Sequence, residues 1–360
     1  MGAPLDDLLT KMIEVGASDL HLKVGSPPVM RIDGDLHPTN LDTLAPADTE
    51  AYAEGIFTQK GAKEFRDMGE ADFAYGKAEL GRFRVNVFRQ RGSVGLVLRR
   101  VESSQMGFHD LGLPPVLEKL SMEQRGLILV TGPTGSGKTT TLASMIDYIN
   151  TYRAVNIITI EDPIEVLHAD KKAIVSQREI GMDTKSFDEA LKRVLRQDPD
   201  VILIGEMRDA ETVRAALQAA ETGHLVLSTL HTIDATETVN RIIDFFPPYQ
   251  QKQTRLQMAG AIKGIVSQRL MEKVDGEGRV PAVEILTMNG RVFDRIVDET
   301  QTHTLEDVIQ ESEFYGMQTF DQAILKLFKD GDISFQTALA AASNPHDLRV
   351  KAEQNGLVAV

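Results

Sequence analysis

Residues 132–139 read Gly-Pro-Thr-Gly-Ser-Gly-Lys-Thr, the pattern G-x-x-x-x-G-K-[ST] of a phosphate-binding loop. The apolar run Leu127-Ile128-Leu129-Val130 precedes it, and a helix-compatible stretch from Thr139 to about Asn150 follows. This strand–loop–helix setting is the one the motif requires. Gly135 and Gly137 let the backbone curl so that N–H groups point inward at phosphate oxygens. Thr134, Gly135, Ser136, Gly137, Lys138, Thr139 and Thr140 therefore form the expected nucleotide cradle. The helix N-terminus adds partial positive charge at the same place. Lys138 can reach the β- and γ-phosphates of ATP, and the Thr139 hydroxyl can hold Mg²⁺. A glycine-rich turn is the plain alternative, and the two flanks weigh against it.

At 360 residues the chain is long enough for two domains and a substantial core. No signal peptide and no apolar run near about 18 residues is present, so no membrane span is expected and the protein is read as cytoplasmic. The absence of cysteine excludes disulfides, thiol catalysis and cysteine-ligated zinc. A net charge of −14 argues against a broad nucleic-acid-binding surface.

Leu5, Leu8, Leu9, Met12 and Ile13 fall on one helical stripe, and Gly16 is placed to stop it. From Ser18 to Val24 the pattern alternates, with Leu20, Leu22 and Val24 facing one way and Asp19, His21 and Lys23 the other. Val29 to Ile32 leads to Asp33-Gly34, a hairpin signal. Ala47 to Phe57 reads as a helix. Phe83 to Phe88 and Val94 to Val101 read as paired strands about an Arg91-Gly92-Ser93 turn. The expected organisation is an α+β domain over 1–101, a linker over 102–118, an ATPase core over 119–286 and a helical region over 287–360. In the core, strands are expected at 127–131, 155–160, 201–205 and 225–229, with helices near 138–150, 186–196 and 209–221. Such alternation implies a mainly parallel sheet covered on both faces. Leu305 to Ser312 and Phe320 to Phe328 read as helices of the C-terminal region.

Three further segments carry chemistry. The second strand ends Ile158-Thr159-Ile160-Glu161-Asp162-Pro163-Ile164-Glu165, and acids at the carboxyl end of a sheet strand sit beside the ligand crevice. The third ends Ile204-Gly205-Glu206-Met207-Arg208-Asp209, where Glu206 can bind Mg²⁺ through water or activate the attacking water. Glu161 competes for that role, and an exposed acid capping a strand is the alternative for either. The fourth strand is bracketed by His224 and His231. His231 follows its carboxyl end, where a γ-phosphate sensor would sit, whereas His224 opens the strand and should lie farther away. Residues 80–101 hold Arg82, Arg84, Arg89, Arg91, Arg99 and Arg100 without an acid. They read as an arginine clamp on phosphates or as a solvated strand edge.

Taken together these segments resemble the secretion ATPase superfamily of type II secretion and type IV pili, most closely the pilus retraction group. The likeness runs from Ala17-Ser18-Asp19-Leu20-His21-Leu22 and Gly81-Arg82-Phe83-Arg84-Val85-Asn86 through the phosphate loop. It continues over 159–165, 198–209 and 222–232 and ends at Gly316-Met317-Gln318-Thr319-Phe320-Asp321-Gln322. The resemblance implies a PAS-like first domain, a RecA-like second domain with a helical appendage, and a homohexameric ring. ATP and Mg²⁺ would sit between the domains, with Glu206 as the catalytic glutamate and both His224 and His231 lining the site. Arg84 and Arg99, with Arg82, would reach the nucleotide from the first domain. The ring would press on an inner-membrane platform protein from the cytoplasm, with a partner pilus ATPase as a further associate.

Extension-type relatives carry an additional N-terminal domain and a tetracysteine zinc motif, which this chain lacks. Retraction-type relatives carry an Ala-Ile-Arg-Asn-Leu-Ile-Arg-Glu-like motif. The matching stretch here is Val292-Phe293-Asp294-Arg295-Ile296-Val297-Asp298-Glu299, in which both arginines of the pattern become aspartates. A divergent or accessory retraction motor therefore stands beside the standard one. Two other classes are weaker. A nucleic-acid motor is opposed by the acidic balance and the lack of basic segments interleaved with aromatics. A non-hydrolysing switch is opposed by intact Lys138, Thr139 and Glu206.

Overall fold

The computed structural model describes residues 3–103 and 106–358. The chain divides into two compact units, one up to Ser103 and one from Ser104 onward. Residues 1–2 of the expected first domain and 104–105 of the expected linker lie outside the described residues.

The first unit is a six-stranded antiparallel sheet with helices against one face. Its elements are α1 (Leu5–Glu14), β1 (Asp19–Lys23), β2 (Val29–Ile32), β3 (Asp35–Pro38), α2 (Pro46–Ile56), α3 (Gln59–Met68), β4 (Glu70–Lys77), β5 (Gly81–Gln90) and β6 (Ser93–Arg100). The strand order is β3-β2-β1-β6-β5-β4. Leu8, Leu9 and Met12 of α1 and Tyr52 and Ile56 of α2 pack on Leu20, Leu22, Phe83, Val85, Leu96 and Leu98. Asp33-Gly34 and Arg91-Gly92 are two-residue hairpin turns, with φ of 50° and 93° in the first and 51° and 82° in the second. Ser93 pairs with Gln90, so it belongs to β6 rather than to the turn. Helix α3 and strand β4 fall between the expected helix at 47–57 and the expected strand at 83–88. Only Gly61 and Phe65 of α3 are buried, and β4 is an edge strand.

The second unit is a seven-stranded sheet between two layers. We label its strands β7 (Gly126–Thr131), β8 (Asn156–Glu161), β9 (Ile174–Glu179), β10 (Val201–Ile204), β11 (Leu225–Leu230), β12 (Ile262–Glu272) and β13 (Arg279–Thr287). Their order is β9-β8-β10-β11-β7-β12-β13, parallel as far as β12, with β13 antiparallel at the edge. β7, β10 and β11 are buried at every position, which is why they read as continuous apolar runs. One face packs on α5 (Lys138–Tyr152), through Leu142, Met145 and Ile149. The other packs on α6 (Phe187–Val194), α7 (Ala210–Glu221), α8 (Ala235–Asp244) and α9 (Pro248–Ala261).

Within the expected linker, Phe108, Leu113 and Leu117 are buried in the core of this second unit, and α4 (Val116–Ser121) begins there. C-terminal helices α10 (Gly290–Val297), α11 (Leu305–Gln310), α12 (Phe320–Asp330), α13 (Phe335–Ala341) and α14 (Pro345–Gln354) follow β13. Phe320, Ile324, Ala338 and Leu348 cover Met271, Val280 and Ala282.

Candidate functional site

Four strands of the second unit deliver the site at one edge of the sheet. The phosphate loop leaves β7, Glu161 ends β8, Glu206 follows β10 and His231 follows β11. These strands are parallel neighbours, so their carboxyl ends come together. They enclose a cleft of about 560 Å³ lined by Thr134, Gly135, Gly137, Lys138, Thr139, Thr140, Glu161, Glu206 and His231.

The loop is built to receive an anion. Helix α5 is preceded by Gly137 (φ 89°), which has no side chain to cap it, and its first turn carries no acid. Its leading N–H groups therefore keep their partial positive charge for a ligand. A Cβ at Gly137 would sit 2.7 Å from the Gln268 Nε2 atom, so a larger residue would have to push that side-chain amide aside as well as adopt a left-handed φ. Gln268 itself accepts a hydrogen bond from Thr141 at 2.7 Å. Lys138 Nζ donates to the carbonyls of Gly132 and Pro133 at 2.8 and 2.9 Å. Burial pushes its ammonium below the usual lysine range, against the pull of Glu206 and Glu165. Ser136 Oγ is buried without a hydrogen-bond partner, on the loop rather than on the cleft wall.

The two glutamates differ. Glu161 is buried, and its Oε1 accepts from Thr159 at 2.6 Å and Gln177 at 3.2 Å. Burial raises its pKa more than those hydrogen bonds lower it, and Glu165 and Glu179 add to the rise. Glu206 stands on a turn pinned on both sides. Gly205 N–H donates to Ile160 at 2.8 Å, Thr229 donates to the Gly205 carbonyl at 2.7 Å, and Met207 N–H donates to Thr229 at 3.1 Å. A Cβ on Gly205 would lie 3.3 Å from the Ile160 carbonyl, so glycine allows this close approach of β10 to β8. The Glu206 carboxylate is ion-paired to Arg208 and lies 3.7 Å from His231 Nε2.

His224 does not line this cleft. It opens β11 at the opposite end of the sheet, and its Nδ1 lies 3.0 Å from the Ala219 carbonyl and 3.3 Å from Thr222. The expectation that both histidines line one site is corrected for this cleft: six residues of buried strand separate them. Arg82, Arg84 and Arg99 lie on the first unit's sheet, on the face away from its helices. Arg84 pairs in register with Arg99, and Arg99 with Asp19. Arg99 Nε donates to Asp19 Oδ1 at 2.7 Å, and Arg31 lies 4.0 Å from the same carboxylate. Asp19, on the face opposite Leu20 and Leu22, is 3% exposed. Burial pushes its carboxyl up, but the hydrogen bond from Ser18 and the Arg99 guanidinium together hold it below the usual carboxylate range. The acid missing from 80–101 thus comes from β1. Arg208, Arg279 and His168 also line the cleft and were not singled out from sequence. Arg208 follows Glu206 by two residues, the one signal that could have marked it.

The chain matches the family model described as Type II/IV secretion system protein over residues 70–331. It is 43% identical over 343 residues to the type IV pilus retractation ATPase PilT of Pseudomonas aeruginosa, covering 95% of this chain and 99% of that protein. The chain belongs to the type II/IV secretion system protein family. Another relative in this family, the type IV pilus ATPase PilU of the same organism, is 42% identical over 345 residues, 96% of this chain and 90% of that one. The crystal structure of the pilus retraction motor PilT with bound ADP matches with a TM-score of 0.88 at 46% identity, covering 97% of this chain and 99% of that chain. The mixed α/β architecture with two sheets is thus the architecture of that secretion-family relative. Among the described residues no helix is long and apolar enough to cross a membrane.

Proposed function

We propose that this chain is a Mg²⁺-dependent ATPase motor that powers retraction of type IV pili, working as a homohexameric ring at the inner face of the cytoplasmic membrane. The observation that carries this reading is the near full-length likeness to the ADP-bound retraction motor, joined to a cleft that holds an intact phosphate loop beside Glu206. On this reading the first unit is a PAS-like domain and the second a RecA-like domain. An inner-membrane platform protein is the partner, and nucleic acid is not. The domain bounds on this reading are 1–101, 119–286 and 287–360, with 102–118 between them as a segment whose Phe108, Leu113 and Leu117 pack into the second unit.

The cleft residues fit a magnesium nucleotide. Among the described residues no cluster of three or more metal-binding side chains occurs. None is required, because Mg²⁺ in such sites takes one or two protein oxygens and fills its shell from phosphates and water. The Thr139 hydroxyl lines the cleft and would hold the metal directly, with the Glu206 carboxylate reaching it only through water. The metal would neutralise charge developing on the phosphates. Lys138 exchanges its loop carbonyls for the β- and γ-phosphate oxygens. The uncapped start of α5 binds the remaining phosphate charge. Glu206 orients and deprotonates the attacking water, and His231 contacts the outermost phosphate. Arg84 and Arg99, with Arg82, would also bind phosphate.

A second reading, an accessory retraction motor acting with a partner pilus ATPase, is favoured by Asp294 and Asp298 in the stretch where retraction motors carry arginines. In α10, Asp294 is exposed, and Asp298 caps the helix end and accepts hydrogen bonds from Thr300 and Gln301. Steady-state ATP hydrolysis by the purified chain tests the enzyme, with Lys138→Ala expected to abolish it. Near-wild-type turnover in that variant would refute the site. Loss of twitching on deletion, restored by the wild type but not by Lys138→Ala, tests the pathway.

A further inference from the structure

The hydrolysis reading leaves one conflict. Glu206 is the group placed to activate water, yet its carboxylate is held by Arg208, with His231 near the second oxygen. A carboxylate oxygen committed to a guanidinium is not open to the attacking water until that charge-assisted hydrogen bond is given up.

The two partners are unequally fixed. The Glu206 side chain is 16% exposed and stands between backbone groups tied to β8 and β11. The Arg208 side chain is 65% exposed. Its backbone lies between Met207, which is hydrogen-bonded to Thr229, and Asp209, which caps α7 through Thr212 at 2.8 Å. Only the guanidinium is free to travel. Arg208 lines the nucleotide cleft and also a second hollow of about 550 Å³ that shares Glu206 and His231 with it, so there is room on both sides. Lys138 repeats the arrangement on the loop, its ammonium resting on protein carbonyls that a phosphate would replace.

We propose that Arg208 is a positioning residue that exchanges between the Glu206 carboxylate and the γ-phosphate, so that arrival of a nucleoside triphosphate releases Glu206 for water. A terminal phosphate carries more charge than a carboxylate and accepts the planar guanidinium fork in two places, so it competes for Arg208. A diphosphate lacks the group that draws the arginine away and leaves the pair intact. The exchange couples recognition of the third phosphate to release of the base. It rests on the ATPase reading above and goes beyond it.

The test is a double-mutant cycle on binding. Affinities for a non-hydrolysable ATP analogue and for ADP are measured in the full-length wild type, Arg208→Ala, Glu206→Gln and the double variant. Exchange breaks the pair only with the triphosphate. The two substitutions should therefore be non-additive by about tenfold or more for the analogue, equivalent to about 1.4 kcal/mol. For ADP they should be additive within about twofold. Additivity with both ligands, or equal non-additivity with both, overturns the proposal. ADP binding is also the folding control, and Arg208→Gln replaces the alanine variant in the cycle if that control fails. Arg208→Lys keeps the charge but not the fork, so it should recover part of the kcat lost in Arg208→Ala with little change in KM. A wild type that binds neither nucleotide overturns the ATPase reading as well, a result distinct from additivity.

Discussion

Glu161 and Glu206 end neighbouring strands and differ in what surrounds them. Two hydrogen bonds on one oxygen fix the Glu161 side chain, and burial outweighs them to raise its carboxyl above the usual range. Glu206 faces the cleft with Arg208 on one oxygen and His231 near the other. Glu206→Gln should therefore keep ATP binding and lose at least roughly a hundredfold in kcat, the usual scale for a positioned base. Glu161→Gln should cost less, because its two donors still find an oxygen. Single-turnover hydrolysis of both variants measures this, and the reverse order would exchange the two roles. The histidines teach a related point. His224 and His231 flank one strand in sequence, but a strand has two ends, and only the carboxyl end faces the phosphate loop.

At the scale of elements, the apolar strands and the phosphate loop were legible because burial on both faces writes itself as uninterrupted Val, Ile and Leu. The Gln-rich helix α9 was not, since Thr254, Arg255, Met258 and Ala259 are buried among many polar neighbours. The arginine-rich strands were half legible. Their shared face was evident, whereas the buried Asp19 that holds Arg99 comes from a strand about 80 residues earlier. Pairing across a sheet is a property of register that local composition does not carry. If Arg84 and Arg99 also clamp phosphate, alanine at either should lower kcat by at least roughly tenfold, about 1.4 kcal/mol of transition-state stabilisation. Arg89→Ala and Arg91→Ala, toward the hairpin turn, should do less. Equal, near-wild-type rates for all four would leave these arginines as sheet-face charges. A pH effect belongs to β13. Burial raises the Glu284 carboxyl to about 7, helped by Asp234 and Glu306 and opposed by the Ala235 N–H and Arg269. An acid with a raised native pKa destabilises the fold progressively as pH rises from about 4.5 to about 7, with no further loss above. Glu284→Gln can still accept from Ala235. It should raise Tm at pH 8 by roughly 5 °C and leave Tm at pH 4.5 nearly unchanged. A uniform shift at both pH values would place the effect in packing instead.

For the whole molecule, the ring is the claim that the proposed function most needs, since work about a filament axis has to be passed from subunit to subunit. Native mass spectrometry or light scattering with an ATP analogue should give six copies. Monomer alone at tens of micromolar, roughly the range in which weak assemblies form, would count against it. Within the second unit, consecutive residues of β12 touch both working parts. Gln268 takes a hydrogen bond from Thr141 behind the phosphate loop. Arg269 donates to the Ala341 carbonyl at 3.0 Å and stacks 3.9 Å from the centre of the Phe320 ring. Successive side chains on a strand leave by opposite faces, so this one strand works like a rivet through the sheet. Adjacent residues of a single strand thus give a displacement at the phosphate loop a short route to the C-terminal helices, and load on those helices the same route back.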